Sequence, residues 1–316
     1  MDKAERTLIE PVSGLNLNSR PKFDFSRGIG KLQVKLETFF LKKGYILLII
    51  GFLLGRALIL STLTPFILPF FAAVFLLRRD RAPLALLGLV LGAATLSIVD
   101  AAYAFGVTVL FLILFRVSVK WLTNEIKALP FFVFATILVS KVAKSYLFSS
   151  QVSLYDGMMA GVEASLGFIL TLIFLQSIPL ILAHKRRQTL KTEEVVCLII
   201  MLASIMTGTI GWSVYDLSLE HITSRYLVLV FAFVAGATVG STVGVVTGLI
   251  FSLANVSSFY HMSLLAFSGL LGGLLKEGKK VGVAIGLFIS TLLIGMYGEG
   301  GVNLEKSLLE SAAAVL

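Results

Sequence analysis

The sequence contains few of the residue types that build catalytic or metal sites. Its 316 residues include one cysteine and three histidines, and they show no HExxH motif or paired Cys/His spacing typical of metal sites. Walker A and GxSxG motifs are also missing. The single thiol, Cys197, excludes an intrachain disulfide framework. The sequence therefore predicts no catalytic, cofactor-binding or metal-binding residues in this chain.

Charged residues are scarce as well. Asp, Glu, Lys and Arg supply 14% of the chain, against roughly 25% in a soluble domain. Nine apolar residue types supply 57%, and the mean hydropathy is +0.94. A water-soluble fold could not bury this much apolar surface. The composition predicts an all-α, polytopic bundle of transmembrane helices that contacts the lipid bilayer directly.

Ten apolar runs follow one another from residue 44 onward. Several are shorter than the roughly 20 residues that cross a bilayer comfortably, so we expect about ten short spans with close, glycine-mediated packing. The runs cover residues 44–60, 63–77, 84–99, 101–119, 128–148, 157–183, 195–210, 226–254, 262–275 and 281–297.

The polar N-terminus predicts two further segments. Residues 1–30 contain scattered Pro and Gly and are expected to form a flexible cytoplasmic tail. Residues 31–43 place apolar side chains on one helical face among lysines, which predicts an amphipathic interfacial helix or, alternatively, a charged flank of the first span. Residues 44–316 then form a multi-span membrane domain. The closing SLLESAAAVL is typical of the opening of another span, so we expect a fragment of a longer protein.

The net charge of +9 reflects short basic clusters between apolar runs, which is typical of cytoplasmic loops and does not indicate nucleic-acid binding. Clusters follow the second, fourth and sixth runs, as expected for a cytoplasmic N-terminus. A last cluster, KEGKK at 276–280, fits this pattern only if the run 226–254 folds back on itself; otherwise the positive-inside rule fails there. The earlier basic residues are Arg78, Arg79 and Arg81, then Arg116, Lys120 and Lys127, then Lys185, Arg186, Arg187 and Lys191.

Arg56 and Glu163 are among the charged residues that fall inside apolar runs, where burial is costly. Arg56 and Glu163 both lie near the expected outer ends of their spans. This position favours an anchoring or pairing role, although an intramembrane charge also keeps a small-solute transporter or channel open as the alternative function.

Glycine spacing is the strongest structural signal. Gly236, Gly240, Gly244 and Gly248 form three consecutive GxxxG steps, which predict a helix-packing groove. Single pairs such as Gly88/Gly92 are weaker evidence, and we expect Gly88→Leu to be milder than Gly240→Leu or Gly244→Leu.

Four stretches together resemble the membrane domains of the stage II sporulation protein E family of endospore-forming bacteria. They are GFLLGRA at 51–57, SLGFILTLIFLQSIP at 165–179, STVGVVTGLI at 241–250 and MSLLAFSGLLGGLLKEGKK at 262–280.

The resemblance, and not the residues themselves, implies a larger function. Family members carry ten membrane spans, a cytoplasmic central region and a manganese-dependent PP2C-type serine/threonine phosphatase. That phosphatase dephosphorylates the anti-anti-sigma factor and so activates the forespore sigma factor, at a polar septum where the protein joins the tubulin-like division protein. None of the family's catalytic or manganese-binding residues falls within this chain. The resemblance thus implies an anchoring, localisation and assembly domain that also self-associates.

Overall fold

The apolar runs fold as α-helices, because a helix satisfies its backbone hydrogen bonds internally and can expose apolar side chains on every face. A computed structural model describes residues 44–60, 62–118, 125–149, 153–182, 191–254, 259–298 and 304–316. The predicted tail 1–30 and interfacial helix 31–43 lie outside the described residues. Residues Gly44–Leu316 form one compact unit.

Twelve α-helices occur in the described part of this unit, so the predicted all-α class is confirmed. A minimal antiparallel hairpin of β1 (Ser213–Val214) and β2 (Leu217–Ser218) is the exception. The helices are α1 (Tyr45–Arg56), α2 (Ile67–Leu77), α3 (Ala82–Ala94), α4 (Ile98–Ser118), α5 (Glu125–Ser149), α6 (Leu154–Leu182), α7 (Thr192–Thr207), α8 (Leu219–Ala235), α9 (Ala237–Ala254), α10 (Phe259–Leu274), α11 (Lys279–Gly298) and α12 (Leu304–Val315).

By length and composition, five segments could cross a membrane. They are Ile98–Val117, Ile126–Tyr146, Leu154–Leu182, Ala237–Ala254 and Phe259–Tyr297. The last segment contains α10 and α11, joined by a 3-10 turn at Leu275–Gly278. The expected ten short spans are not confirmed, because helices such as α1, with 12 residues, and α2, with 11, fall well below the roughly 20 residues of a full crossing.

Helix α2 lies inside the hydrophobic core that helices α1 to α6 form. Residues 67–74 are all buried, as expected of a helix that is apolar on every side and surrounded by others. Its aromatic rings pack edge to face, with Phe70 against Phe174 of α6 at 6.1 Å and Phe71 against Phe111 of α4 at 6.3 Å. This aromatic cluster joins α2, α4 and α6 into one core.

Helices α1 and α3 lie side by side and run parallel. Gly55 lies against the Leu89 backbone, and Gly92 lies against the carbonyl of Phe52. The two glycine pairs, Gly51/Gly55 and Gly88/Gly92, therefore form one backbone-to-backbone interface.

The long run 226–254 is two helices and not one. Gly236 has a φ of +87°, a left-handed conformation that glycine adopts without a steric penalty, and it ends α8. Helix α9 then folds back so that Gly240 lies against Ala232 of α8. Of the two possibilities that the sequence left open for this run, the structure has the hairpin.

Each of two basic segments lies beside the start of a helix. A Cβ atom on Gly44 would lie 3.0 Å from Cδ of Arg81, and one on Gly236 would lie 3.1 Å from Nζ of Lys276. The C-terminal ends of α1 and α9 meet at the other end, where the Leu60 amide donates to the Leu253 carbonyl at 3.1 Å. We call the end with Gly44, Arg81, Gly236 and Lys276 the basic end, and the other the opposite end.

Candidate functional site

Two clusters of buried charge lie toward the opposite end. The first, the Glu163 cluster, consists of Thr64, Lys141 and Glu163. The Glu163 side chain is 2% exposed, and its carboxylate lies 2.7 Å from the Lys141 ammonium. The backbone amide and hydroxyl of Thr64 both donate to the other carboxylate oxygen, at 3.3 and 3.4 Å. The carboxylate thus joins α5, α6 and the start of α2.

The ring of Tyr103 on α4 extends this cluster. The ammonium groups of Lys141 and Lys144 lie 5.3 and 4.6 Å from its centroid, within the range of cation–π attraction. Lys144 also approaches the carboxylate of Asp100 at 3.6 Å. Lys141 and Lys144, both on α5, are therefore paired across helix interfaces.

Arg56 lies at the same end, where α1 finishes. Its guanidinium lies 4.9 Å from the centroid of the Trp212 ring and donates to the Ile210 carbonyl at 3.3 Å. It also reaches the Thr95 hydroxyl at 3.4 Å. The side chain therefore connects α1 with the segment between α7 and β1, and with the end of α3.

The second cluster, the Arg225 cluster, consists of His221 and Arg225 on α8 and Ser307, Glu310 and Ser311 on α12. Arg225 is 1% exposed and Glu310 2% exposed, and their closest charged atoms are 3.3 Å apart. Nδ1 of His221 lies 3.1 Å from the same carboxylate.

The Ser218 amide adds a third contact to Glu310, at 3.2 Å. Burial alone would raise the pKa of Glu310. The hydrogen bond from His221, the charges of His221 and Arg225, and the Ser218 amide outweigh it and hold this pKa below its ordinary range.

A groove of about 230 Å³ opens beside the Arg225 cluster. His261 of α10 lies on its wall, with its ring centroid 4.0 Å from that of His221. Tyr260 and Lys306 complete the lining together with the cluster itself. In the part of the chain that the structure describes, no group of three or more His, Cys, Asp or Glu is placed to hold a metal ion.

The predicted glycine groove is shorter than expected. Gly240 lies against Gly269 of α10, Gly244 against Leu265 and Gly248 against Met262, so these three line one antiparallel interface. Gly236 does not share their helix, because its left-handed backbone forms the turn between α8 and α9. The expected four-glycine face is therefore corrected to three glycines and a turn residue.

The Gly88/Gly92 pair is not the isolated feature that its spacing indicates. A Cβ atom on Gly88 would collide with the backbone carbonyl of Leu48. This contact removes the basis for expecting a milder Gly88→Leu, since the opposing atoms belong to the backbone of α1.

The predicted basic residues fall into two groups. Arg78 and Arg79 are exposed and Arg81 is half-buried at the basic end, with the Arg79 guanidinium 5.2 Å from the Phe75 ring centroid. Lys185, Arg186 and Arg187 lie outside the described residues.

Sequence reasoning missed the Arg225 cluster. Arg225 directly precedes an apolar run, and Glu310 lies among small residues near Leu316, so each resembles an ordinary flanking charge. A charged residue at the edge of an apolar run is a weak signal that could have marked them.

Comparison with known proteins identifies the family. A family model described as SpoIIE, N-terminal domain, matches residues 1–316. Stage II sporulation protein E of Bacillus subtilis (strain 168) is 48% identical over 315 residues, which cover 100% of this chain and 38% of that protein. Stage II sporulation protein E of Priestia megaterium is 64% identical over 72 residues, or 23% of this chain and 12% of that protein.

The chain thus spans well under half the length of these curated relatives. No solved structure matches it. The full-length family match confirms the resemblance seen in the four sequence stretches: this chain belongs to the SpoIIE N-terminal domain family.

Proposed function

We propose that this chain is a multi-pass membrane domain that anchors, localises and helps to assemble a sporulation phosphatase. The observation that carries the proposal is the family match over all 316 residues. The apolar helices and the basic segments beside Gly44 and Gly236 support it, because Lys and Arg clusters hold loops on the cytoplasmic side. In this arrangement the basic end faces the cytoplasm.

The enzymatic part of the proposal concerns regions outside this chain. There, a PP2C-type serine/threonine phosphatase with bound manganese dephosphorylates the anti-anti-sigma factor and so activates the forespore sigma factor. We place the manganese in that phosphatase region, as the resemblance to the family implies. The protein assembles with the tubulin-like division protein and with further copies of itself at the polar septum.

Localisation in sporulating cells tests the anchoring role. A fluorescent protein fused after Leu316 should label the membrane and concentrate at the polar septum, whereas the same fluorescent protein fused to residues 1–43 alone should not concentrate there. Diffuse cytoplasmic fluorescence of the long fusion would contradict the proposal.

Cysteine labelling tests the orientation separately, in a Cys197→Ser background. The Tyr215 side chain is 96% exposed on the β-hairpin at the opposite end, and Lys280 is exposed at the basic end. A membrane-impermeant thiol reagent should label Tyr215→Cys in intact cells, and Lys280→Cys only after permeabilisation. Labelling of Lys280→Cys in intact cells would reverse the proposed orientation.

A small-solute transporter or channel is the second candidate, because the Lys141–Glu163 pair lies in two segments that could cross a membrane. The Glu163 carboxylate already forms an ion pair with Lys141 and accepts hydrogen bonds from Thr64, which favours a structural role. Transport would instead be supported by solute or ion flux into proteoliposomes that contain the purified chain, provided that Glu163→Gln abolishes this flux.

A further inference from the structure

Helix α12 buries an unusual face. Its buried residues are Ser307, Glu310, Ser311 and Ala314, so alanine is the only apolar side chain among them. Burial of apolar surface is the main force that docks a helix in most folds, and α12 contributes very little of it on this face. Leu304 and Leu308 are half-buried and add apolar contact, but three of the four fully buried side chains are polar, so polar contacts are a major part of the docking.

One side chain supplies most of those contacts. Arg225 of α8 donates through Nη1 to the Ser307 carbonyl at 2.6 Å and to the Ser311 hydroxyl at 3.2 Å. Through Nη2 it donates to the Ser307 hydroxyl at 2.9 Å and pairs with Glu310 at 3.3 Å. A single guanidinium thus contacts three successive positions of the buried face of α12.

Helix α11 makes a smaller polar contact. The hydroxyl groups of Thr291 and Ser311 are 2.9 Å apart, and both residues are fully buried. The polar contacts of α12 are therefore made to α8 and its N-terminal flank and to α11.

Docking through a buried ion pair is sensitive to the loss of one charge. Removing one partner of a buried ion pair leaves the other charge uncompensated, whereas replacing both partners by apolar groups of similar volume is often tolerated. If Arg225 and Glu310 separate, water that enters the groove beside them can hydrate both charged groups. Helix α12 can therefore detach while the rest of the domain stays folded.

The α9–α10 interface has a different basis. Gly240 and Gly244 bring the backbones of these helices into direct contact, with no charged group between them. The atoms that face Gly240 and Gly244 belong to neither Arg225 nor Glu310.

We propose that α12 is a detachable helix, latched to α8 by the Arg225–Glu310 pair, and that α9 and α10 stay packed when it is released. The latch is a property of this domain alone and holds whether or not the proposed function is correct.

Thiol accessibility tests the latch in the purified chain, in a Cys197→Ser background. Ala314→Cys reports on α12, because Ala314 is 4% exposed on its buried face, and Ser268→Cys reports on the buried face of α10. Glu310→Gln should raise the maleimide labelling rate at residue 314 by about tenfold or more, because Arg225 loses its counter-charge. The rate at residue 268 should stay unchanged.

Two further variants separate latching from general destabilisation. Glu305→Gln removes an exposed acid from the same helix and should leave both rates unchanged. Arg225→Met combined with Glu310→Met should return the rate at residue 314 toward that of the parent chain, since neither charge remains buried. An unchanged rate at residue 314 in Glu310→Gln, or an equal rise at residues 314 and 268, would overturn the proposal.

Hydrogen exchange gives a second test that needs no substitution. In the unaltered chain, the backbone amides of α12 should exchange faster than those of α9 and α10, because released helices exchange through local opening. Equal protection of all three helices would also overturn the latch.

Discussion

The Lys141 ammonium lies 2.7 Å from the Glu163 carboxylate across the interface of α5 and α6, and the lysine side chain is only 15% exposed. Charge and burial therefore coincide at one point between these two helices. Thr64, which lies just before α2, donates its backbone amide to the same carboxylate, so a third segment meets the pair.

Lys141→Met should destabilise the chain more than the double variant Lys141→Met/Glu163→Gln. The single change leaves a buried carboxylate without its cation, a loss that typically costs about 3–5 kcal/mol, whereas the double change leaves no charge behind. Thermal unfolding in detergent measures both. Equal midpoints for the two variants would contradict the expected cost of a buried carboxylate that has lost its cation.

Gly92→Leu should abolish the compact, detergent-solubilised species. The new side chain would meet the Phe52 carbonyl, which cannot rotate away, so the cost should exceed the roughly 1–3 kcal/mol of ordinary overpacking. Gly106→Leu is the matched control, because a Cβ atom there has nothing within 4 Å. Size-exclusion elution volume distinguishes them, and equal profiles would contradict the close approach of α1 and α3.

Gly244→Leu should separate α9 from α10. A Cβ atom at this position collides with the backbone at Leu265, so the helices must move apart. Gly161→Leu in α6 is the control, since its surroundings are open. We expect a lower thermal midpoint for Gly244→Leu only; wild-type midpoints in both variants would mean that this interface is loose.

Acid should weaken the chain partly through Glu310. Because its folded pKa lies below the ordinary value of 4.5, the ionised carboxylate stabilises the fold at pH values above 4.5. That contribution is lost as the pH falls through the lowered folded pKa. Melting temperatures from neutral pH down to about pH 3 should therefore fall more steeply for the parent chain than for Glu310→Gln. Parallel curves would show that Glu310 does not contribute.

The local sequence predicts the helices well, because an apolar run can be recognised without knowing which segments pack against it. The local sequence does not predict which helices pack against each other. The Gly88/Gly92 pair resembles the common spacing found in any membrane helix, and only the neighbouring position of α1 makes it a close backbone contact.

The hairpin at Gly236 shows the same limit. Residues 226–254 are continuously apolar, and the basic segment at 276–280 indicates only that a reversal could occur, not where. The Arg225–Glu310 pair is harder still, because its two members lie far apart in sequence and each resembles an ordinary flanking charge.

The close backbone contacts also limit how the chain can recover from mutation. At most core positions, a larger side chain can be accommodated when a facing side chain becomes smaller. Opposite Gly55, Gly92 and Gly244 the first atoms met are backbone atoms of Leu89, Phe52 and Leu265, which every amino acid carries. Genetic suppressors of a large substitution at these sites should therefore be reversions at the same codon, and compensating changes at the facing position should not appear.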